Sequence, residues 1–249
     1  RWSAIVFTDA YGSPVLKRVV GMPGERVAIR NGDVWIDGAP SRRDLETILS
    51  TSTETTPTRL ARLEDRIVCA HVTRVRDRLT GGVDSIPTAI TNESPVACVN
   101  GDPSYAEFVR DLIVTFDARA DGCYTVLTQR PTGLLATSLD LGAGRATLRY
   151  GASGDVESPV ERASEEIGAT DFSLSWGSGS RHVAVCAVDG ELIVGVDGVE
   201  VARFEIGDVD SEVVAGISRP FSIVGADAPT NVRVFRDVHY SRVEVGGPT

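Results

Sequence analysis

The sequence has one lysine, one methionine and three histidines in 249 residues. Its four cysteines, Cys69, Cys98, Cys123 and Cys186, contain no Cys-x-x-Cys pair, which removes the usual structural zinc site. Outside the cytoplasm they allow three disulfide pairings, with buried free thiols as the alternative. His71, His182 and His239 are scattered and read as structural, so no metal and no cofactor is expected. Positive charge is also short: 25 Lys and Arg face 35 Asp and Glu, a net charge of −10 that argues against nucleic acid or an anionic membrane as partner. No apolar run approaches the roughly 18–20 residues that span a bilayer. With no starting methionine and no secretory leader, Arg1 is expected to mark an artificial or processing boundary.

The lone lysine, Lys17, stands against 24 arginines. Arginine can replace a surface lysine at little cost, but its guanidinium stays charged at any working pH. A lysine that survives such a bias is either a chance surface charge or a group needed for its deprotonatable amine. A catalytic amine requires its free pKa of about 10.4 to fall to roughly 7–8 by burial among apolar groups. Val15, Leu16, Val19, Val20 and Met22 give Lys17 few polar neighbours in sequence.

Lys17 sits in Lys17-Arg18-Val19-Val20-Gly21-Met22-Pro23-Gly24-Glu25. That block follows Arg1-Trp2-Ser3-Ala4-Ile5-Val6-Phe7 and precedes Val27 to Gly38. The ordered series, about forty residues long, resembles the bacterial type I signal peptidases, serine/lysine dyad enzymes. The resemblance implies that Lys17 is the general base for a serine nucleophile, and that Leu16 lines the groove where an extended signal peptide pairs with the strand edge. Arg18, Gly21, Pro23 and Gly24 would be structural at that site, Arg18 through an ion pair. The family's Ser-Met-x-Pro-Thr block lies upstream of the first strand, and its Gly-Asp-Asn and Ser-x-Asp-Ser-Arg blocks follow the lysine; neither is in this sequence. Gly101-Asp102-Pro103-Ser104 reads as a turn. Ser13 lies about 13 Å from Lys17 along an extended strand, beyond hydrogen-bond reach.

Along the chain, Ile5 to Phe7 reads as a buried strand, Asp9 to Pro14 as a turn, and Val15 to Val20 as a second strand ended by Met22-Pro23-Gly24. Asn31-Gly32 predicts a hairpin. Ser41 to Leu49 predicts a short helix capped by Ser41, with Leu45, Ile48 and Leu49 on one face. The Thr- and Ser-rich residues 46–59 predict a linker. Beyond Leu60 the pattern is strand-rich, with strands expected at Asp111 to Ala118, Cys123 to Thr128, Arg145 to Tyr150, Phe221 to Val224 and Asn231 to Tyr240. His182 to Ile206 reads as a three-stranded meander turned by Asp189-Gly190 and Asp197-Gly198. The acid-rich Asp155 to Glu166 reads as a solvated loop or helix. The meander resembles the concanavalin-like and laminin-G-like sandwiches, whose members can bind sugar. Tyr124 and Trp176 are the aromatics that could stack on one, with core packing and a loop anchor as their other roles. Asn92-Glu93-Ser94 is followed by proline and carries no weight as a glycosylation sequon.

The expected fold is therefore all-β and mainly antiparallel. A partial signal-peptidase-type β core (1–45) and a linker (46–59) precede a concanavalin-like or jelly-roll sandwich (60–249) whose end returns to the first core. The expected function is the periplasmic, membrane-associated part of a signal peptidase I-like endopeptidase. It would be anchored outside this chain, act on signal peptides of exported preproteins, and be inactive alone for want of its serine. The alternative is a non-catalytic carbohydrate- or protein-binding sandwich on a degenerate peptidase platform, or a homologue that has lost catalysis.

Overall fold

Three Asp-Gly pairs turn tight corners among the described residues. Asp37–Gly38, Asp189–Gly190 and Asp197–Gly198 all place both residues at positive φ, the backbone of a two-residue type I′ hairpin. The computed structural model describes residues 1–30, 33–55, 58–63, 66–76, 83–87, 111–130, 133–152, 165–174, 179–207, 221–225 and 227–237, with backbone alone for 58–63, 66–76, 83–87 and residue 152. Their regular structure is antiparallel strand apart from one short helix, as expected for an all-β chain.

The first forty residues make two small sheets. Strands β1 (Ala4–Thr8) and β2 (Pro14–Arg18) form a hairpin. Its turn is held by the Asp9 carboxylate, whose Oδ1 accepts from the amides of Tyr11 and Ser13 at 2.9 Å each. Strands β3 (Val27–Arg30), β4 (Asp33–Ile36) and β5 (Ala39–Pro40) form the second sheet. The Asn31-Gly32 connection between β3 and β4 lies outside the described residues. Ile5 to Phe7 is a strand but not a buried one: among the described residues β1 pairs only with β2, and Ile5, Val6 and Phe7 are 44, 71 and 45 % exposed. No second layer covers this hairpin among the described residues.

The helix α1 (Leu45–Thr51) is capped by Asp44, not Ser41; the Asp44 carboxylate accepts from the Thr47 amide at 2.7 Å. An aspartate this close to the first apolar residue is a strong cap, and the pair of arginines before it is taken up in ion pairs. Within the stretch expected to be a linker, residues 46–55 carry the rest of α1 and a short strand. After α1 comes β6 (Thr53–Glu54), and Thr55 donates through both its amide (2.9 Å) and its hydroxyl (3.1 Å) to the Val234 carbonyl. The Ser and Thr residues that suggested a linker satisfy local carbonyls instead: Ser50 and Thr51 donate to Thr47, and Ser52 to Leu49.

The remaining strands are β7 (Thr58–Leu63), β8 (Arg66–Arg76), β9 (Val83–Pro87), β10 (Leu112–Arg119), β11 (Cys123–Arg130), β12 (Gly133–Asp140) and β13 (Arg145–Ala152). They continue with β14 (Glu165–Asp171), β15 (Ser180–Val188), β16 (Glu191–Val196), β17 (Val199–Glu205), β18 (Phe221–Gly225) and β19 (Thr230–Arg236). One sheet runs β17-β16-β15-β10-β19-β6, and the other runs β14-β13-β12-β11-β18-β8-β7 with β9 paired to β8. The meander β15–β16–β17 is present as expected. Strands β12 and β14 appear where the sequence reading had none, and β14 begins at Glu165, inside the run read as loop or helix.

The main core lies between these sheets. Leu112, Val114 and Phe116 of β10 with Val183 and Val185 of β15 share one cluster with Tyr124, Val126, Leu135, Leu148 and Phe221 of the other sheet. The alternate residues Ile113, Ala184, Cys186 and Ile193 bury the opposite face of β10, β15 and β16 against Leu45 and Ile48 of α1. Burial on both faces explains why these strands read as continuous apolar runs. At 7 residues α1 is too short to be stable alone. Burying Leu45 and Ile48 offers at most roughly 3–6 kcal/mol, so packing holds it. Gly195 permits the close approach: a Cβ there would meet Leu45 Cδ2 at 2.4 Å.

Candidate functional site

The β1–β2 register sets Ile5 opposite Lys17 and Phe7 opposite Val15 on one face, with Val6 opposite Leu16 and Ala4 opposite Arg18 on the other. Lys17 and Leu16 therefore point away from one another, and both are exposed. The burial that a neutral amine needs is not present around Lys17 in the described residues. The Val19 amide donates to the Ser3 carbonyl at 3.0 Å, which puts Ser3 diagonal to Lys17 on the same face. Among the described residues no hydroxyl is bonded to Lys17. Arg18, expected in an ion pair, instead donates from Nη1 to the Trp2 carbonyl at 2.9 Å.

The corner after β2 is a type II turn. Pro23 precedes Gly24 at φ 91°, and the Glu25 amide donates to the Met22 carbonyl at 3.2 Å. The Glu25 carboxylate closes it, accepting from the Arg1 guanidinium and from the Met22 amide at 2.7 Å. The Arg1 bond first, and the Met22 amide second, hold this carboxyl below the usual range. Gly21 is required by contact, since a Cβ would fall 2.3 Å from Val27 Cγ2. Gly21, Pro23 and Gly24 thus set the path from β2 to β3.

Where the N-terminal hairpins meet the sandwich, a buried cluster centres on Arg43. Its Nε donates to Asp189 Oδ2 at 2.8 Å, while Nη1 (2.8 Å) and Nη2 grip both oxygens of Asp237. The Trp2 ring lies over the guanidinium at 5.1 Å. Burial works against the Arg43 charge, but the bonds and charges of Asp237 and Asp189 outweigh it and raise the pKa. Asp189 is pushed up to about 7, by burial first and then by the charges of Asp111 and Asp237 against the pull of Arg43. Carboxylate oxygens of Asp33, Asp111 and Asp189 lie within 4.8 Å of one another. A second pairing runs alongside: buried Glu191 binds Arg203, and Arg42 at 3.1 Å, while Arg203 Nη2 donates to the Arg43 carbonyl at 3.0 Å. The sequence reading missed this cluster. Its one visible sign is Arg42-Arg43-Asp44, three charges set just before an apolar helix face.

At the far end of the sandwich a cleft of about 800 Å³ opens among the β10–β11, β12–β13 and β18–β19 turns. Tyr124 borders it from inside the core: the ring is 3 % exposed, tilts against Phe116 at 5.8 Å, and its hydroxyl accepts from the Arg119 amide at 2.9 Å. On the rim Arg119 pairs with Asp121 at 2.6 Å and with Asp227 at 2.9 Å. Trp176, Asn92 to Ser94 and Gly101 to Ser104 lie outside the described residues, as do Cys98 and His239. The side chains of Cys69 and His71 are likewise not described. Cys123 and Cys186 are free thiols, and burial pushes the Cys186 thiol up. His182 Nδ1 lies 2.9 Å from Asp117 Oδ1 on the surface. No helix among the described residues is long and apolar enough to cross a membrane.

Residues 1–78 match the family described as "Signal peptidase, peptidase S26". The match runs from β1 through β8 and so continues past α1 into strands of both large sheets. No curated protein matches the chain. Among solved structures, sheep galectin-11 in complex with glycerol is similar at 9 % identity and TM-score 0.36, over 60 % of this chain and 99 % of that one. A carbohydrate binding module, CBM66, from Bacillus subtilis gives 11 % and 0.33, over 76 % and 93 %. An endo-beta-1,3-glucanase from Pyrococcus furiosus gives 12 % and 0.32, over 73 % and 78 %. Likeness at this level carries no argument about ligand or activity.

Proposed function

We propose that this chain is the extracytoplasmic part of a signal peptidase I-like serine endopeptidase, with Lys17 as general base and a β-sandwich carried within the peptidase fold. The observation that carries the reading is the family match over residues 1–78, with Lys17 on β2 directly before the Pro23–Gly24 turn. The geometry suits the chemistry in two ways. Strand β2 pairs only with β1 among the described residues, so its other edge can take an extended peptide, with Leu16 beside the path. The hairpin also presents Ile5 and Phe7 on the Lys17 face, an apolar surface that would desolvate the amine once a nucleophile-bearing segment covers it.

A covered, neutral Lys17 would take the serine proton during attack on the scissile carbonyl and return it to the leaving amine. The sandwich is consistent with an insertion. Strand β6, near its start, pairs with β19, near its end, through Thr53–Arg236 and Glu54–Phe235, so the chain enters and leaves side by side. The membrane anchor and the serine are proposed to lie outside this sequence. The test is cleavage of a signal-peptide-like substrate with small residues at the first and third positions before the cut. A longer form carrying the serine should cleave it, and Lys17→Ala should lower turnover by about 10²–10⁴. Residues 1–249 alone should be inactive. Turnover by these residues that vanishes in Ser3→Ala or Ser13→Ala would put the nucleophile inside this chain and contradict the reading.

A further inference from the structure

We propose that the N-terminal sheets dock on the sandwich through a proton-operated latch at Asp33, Asp111 and Asp189. It is closed when the cluster holds a proton and open when all three carboxylates are ionised, whether or not the Lys17 hairpin is catalytic. Among the described residues no strand of β1–β5 pairs with a strand of the sandwich, so side chains carry the join there. The Trp2 ring crosses it to lie over the Arg43 guanidinium at 5.1 Å. Asp33 of β4 crosses it to stand against Asp111 and Asp189, with carboxylate oxygens of all three within 4.8 Å of one another.

The charges that meet here come from several elements. On the sandwich side Asp111 precedes β10, Asp189 lies in the β15–β16 turn and Asp237 follows β19. Arg43 is bonded to Asp189 through Nε, and its Nη1 and Nη2 are committed to Asp237. Arg42 and Arg203 are paired with Glu191 alongside. On the N-terminal side Arg30 stands opposite Asp33 in the β3–β4 register, with its guanidinium over the Trp35 ring at 4.4 Å. With every aspartate ionised, Asp33 would bring a further negative charge against Asp111, Asp189 and Asp237, where Arg43 is already shared. Opening the join would relieve that repulsion.

One proton changes the balance, because a protonated carboxyl can donate to a neighbouring carboxylate instead of repelling it. Burial first, then the charges of Asp111 and Asp237, push Asp189 up to about 7 against the pull of Arg43. Closure therefore takes up a proton that the open form releases, and raising the pH towards and through about 7 favours opening. Strand β4 pairs with β3, which the Pro23–Gly24 turn joins to β2 and Lys17. The latch thus sets how firmly the Lys17 hairpin is held against the sandwich.

The experiment is hydrogen–deuterium exchange of the whole chain at about pH 5.5 and about pH 7.5, with a chelator present and rates corrected for the intrinsic pH dependence of amide exchange. In the wild type the opening equilibrium read at β4 should rise about tenfold between the two, while β11 and β12 stay far more protected throughout. Asp189→Asn, neutral at both pH values, should keep β4 closed at the higher one. Asp33→Asn should reduce the rise by removing the charge on the N-terminal side. Opening at β4 that does not change with pH would overturn the proposal. So would a full rise in Asp189→Asn or in Asp33→Asn, or exchange at β4 as slow as at β11 and β12 and rising with it, which is global unfolding and not release of the join.

Discussion

Ala4-Ile5-Val6-Phe7 and Val183-Ala184-Val185-Cys186 look alike as sequences, and the fold treats them in opposite ways. The second is buried on both faces, against the facing sheet on one side and α1 on the other. The first is exposed on both faces of a two-stranded hairpin. An apolar run states that burial is favourable; only partners at long sequence separation supply it. The sandwich contains its partners. The hairpin does not have them among the described residues, which is why its apolar faces and Lys17 read as one half of a site.

The comparison can be broken most forcefully by truncating matched aromatic rings. Phe116→Ala should cost about 3–5 kcal/mol of stability, as expected for a core phenylalanine. Phe7→Ala should stay within about 0.5 kcal/mol, as for a surface position. Urea unfolding of both variants checks this, and equal losses would mean that the hairpin is covered after all.

Next in size is the join between the two regions. Arg43→Ala leaves Asp189 and Asp237 buried without their shared cation and should cost about 3 kcal/mol. Hydrogen exchange should show faster opening at β19 and α1 together, because Arg43 also meets Thr51 at 3.5 Å. A change confined to one of these elements would show that Arg43 does not couple them.

The third effect is smaller and depends on pH. Asp189 is raised from 3.8 to about 7 in the fold, so between those values the folded state holds a proton that the unfolded chain has released. Its contribution to stability is therefore complete below about pH 4 and is lost as pH rises through about 7. Asp189→Asn should remove that slope, gaining on the wild type by about 2 kcal/mol from pH 4.5 to 6. A wild-type-minus-variant difference that does not change with pH would contradict the shift.

Much of the sandwich was legible because its turns are local. Asp189-Gly190 and Asp197-Gly198 announce type I′ hairpins from two residues each, and the strands between them follow. Strand β14 was hidden because its exposed edge carries Glu165, Glu166 and Asp171, which look like a solvated segment. The helix start was misplaced because Ser41 and Asp44 can both cap, and only the packing of Leu45 and Ile48 chooses between them. The Arg43 cluster could not be read, since its partners lie 146 and 194 residues away. At the site, the Pro23-Gly24 turn was readable from residue type alone. The exposure of Lys17 was not, because apolar neighbours in sequence shield an amine only if another layer covers them.

The most direct measurement is made at Lys17 itself, in a longer form that carries the serine and cleaves signal peptides. Lys17→Arg keeps length and charge, but a guanidinium cannot accept the serine proton near neutral pH. With folding followed separately by circular dichroism, Lys17→Arg should fold normally and lose as much turnover as Lys17→Ala. Folded Lys17→Arg enzyme with near-normal turnover would contradict the general-base role and leave Lys17 a surface cation.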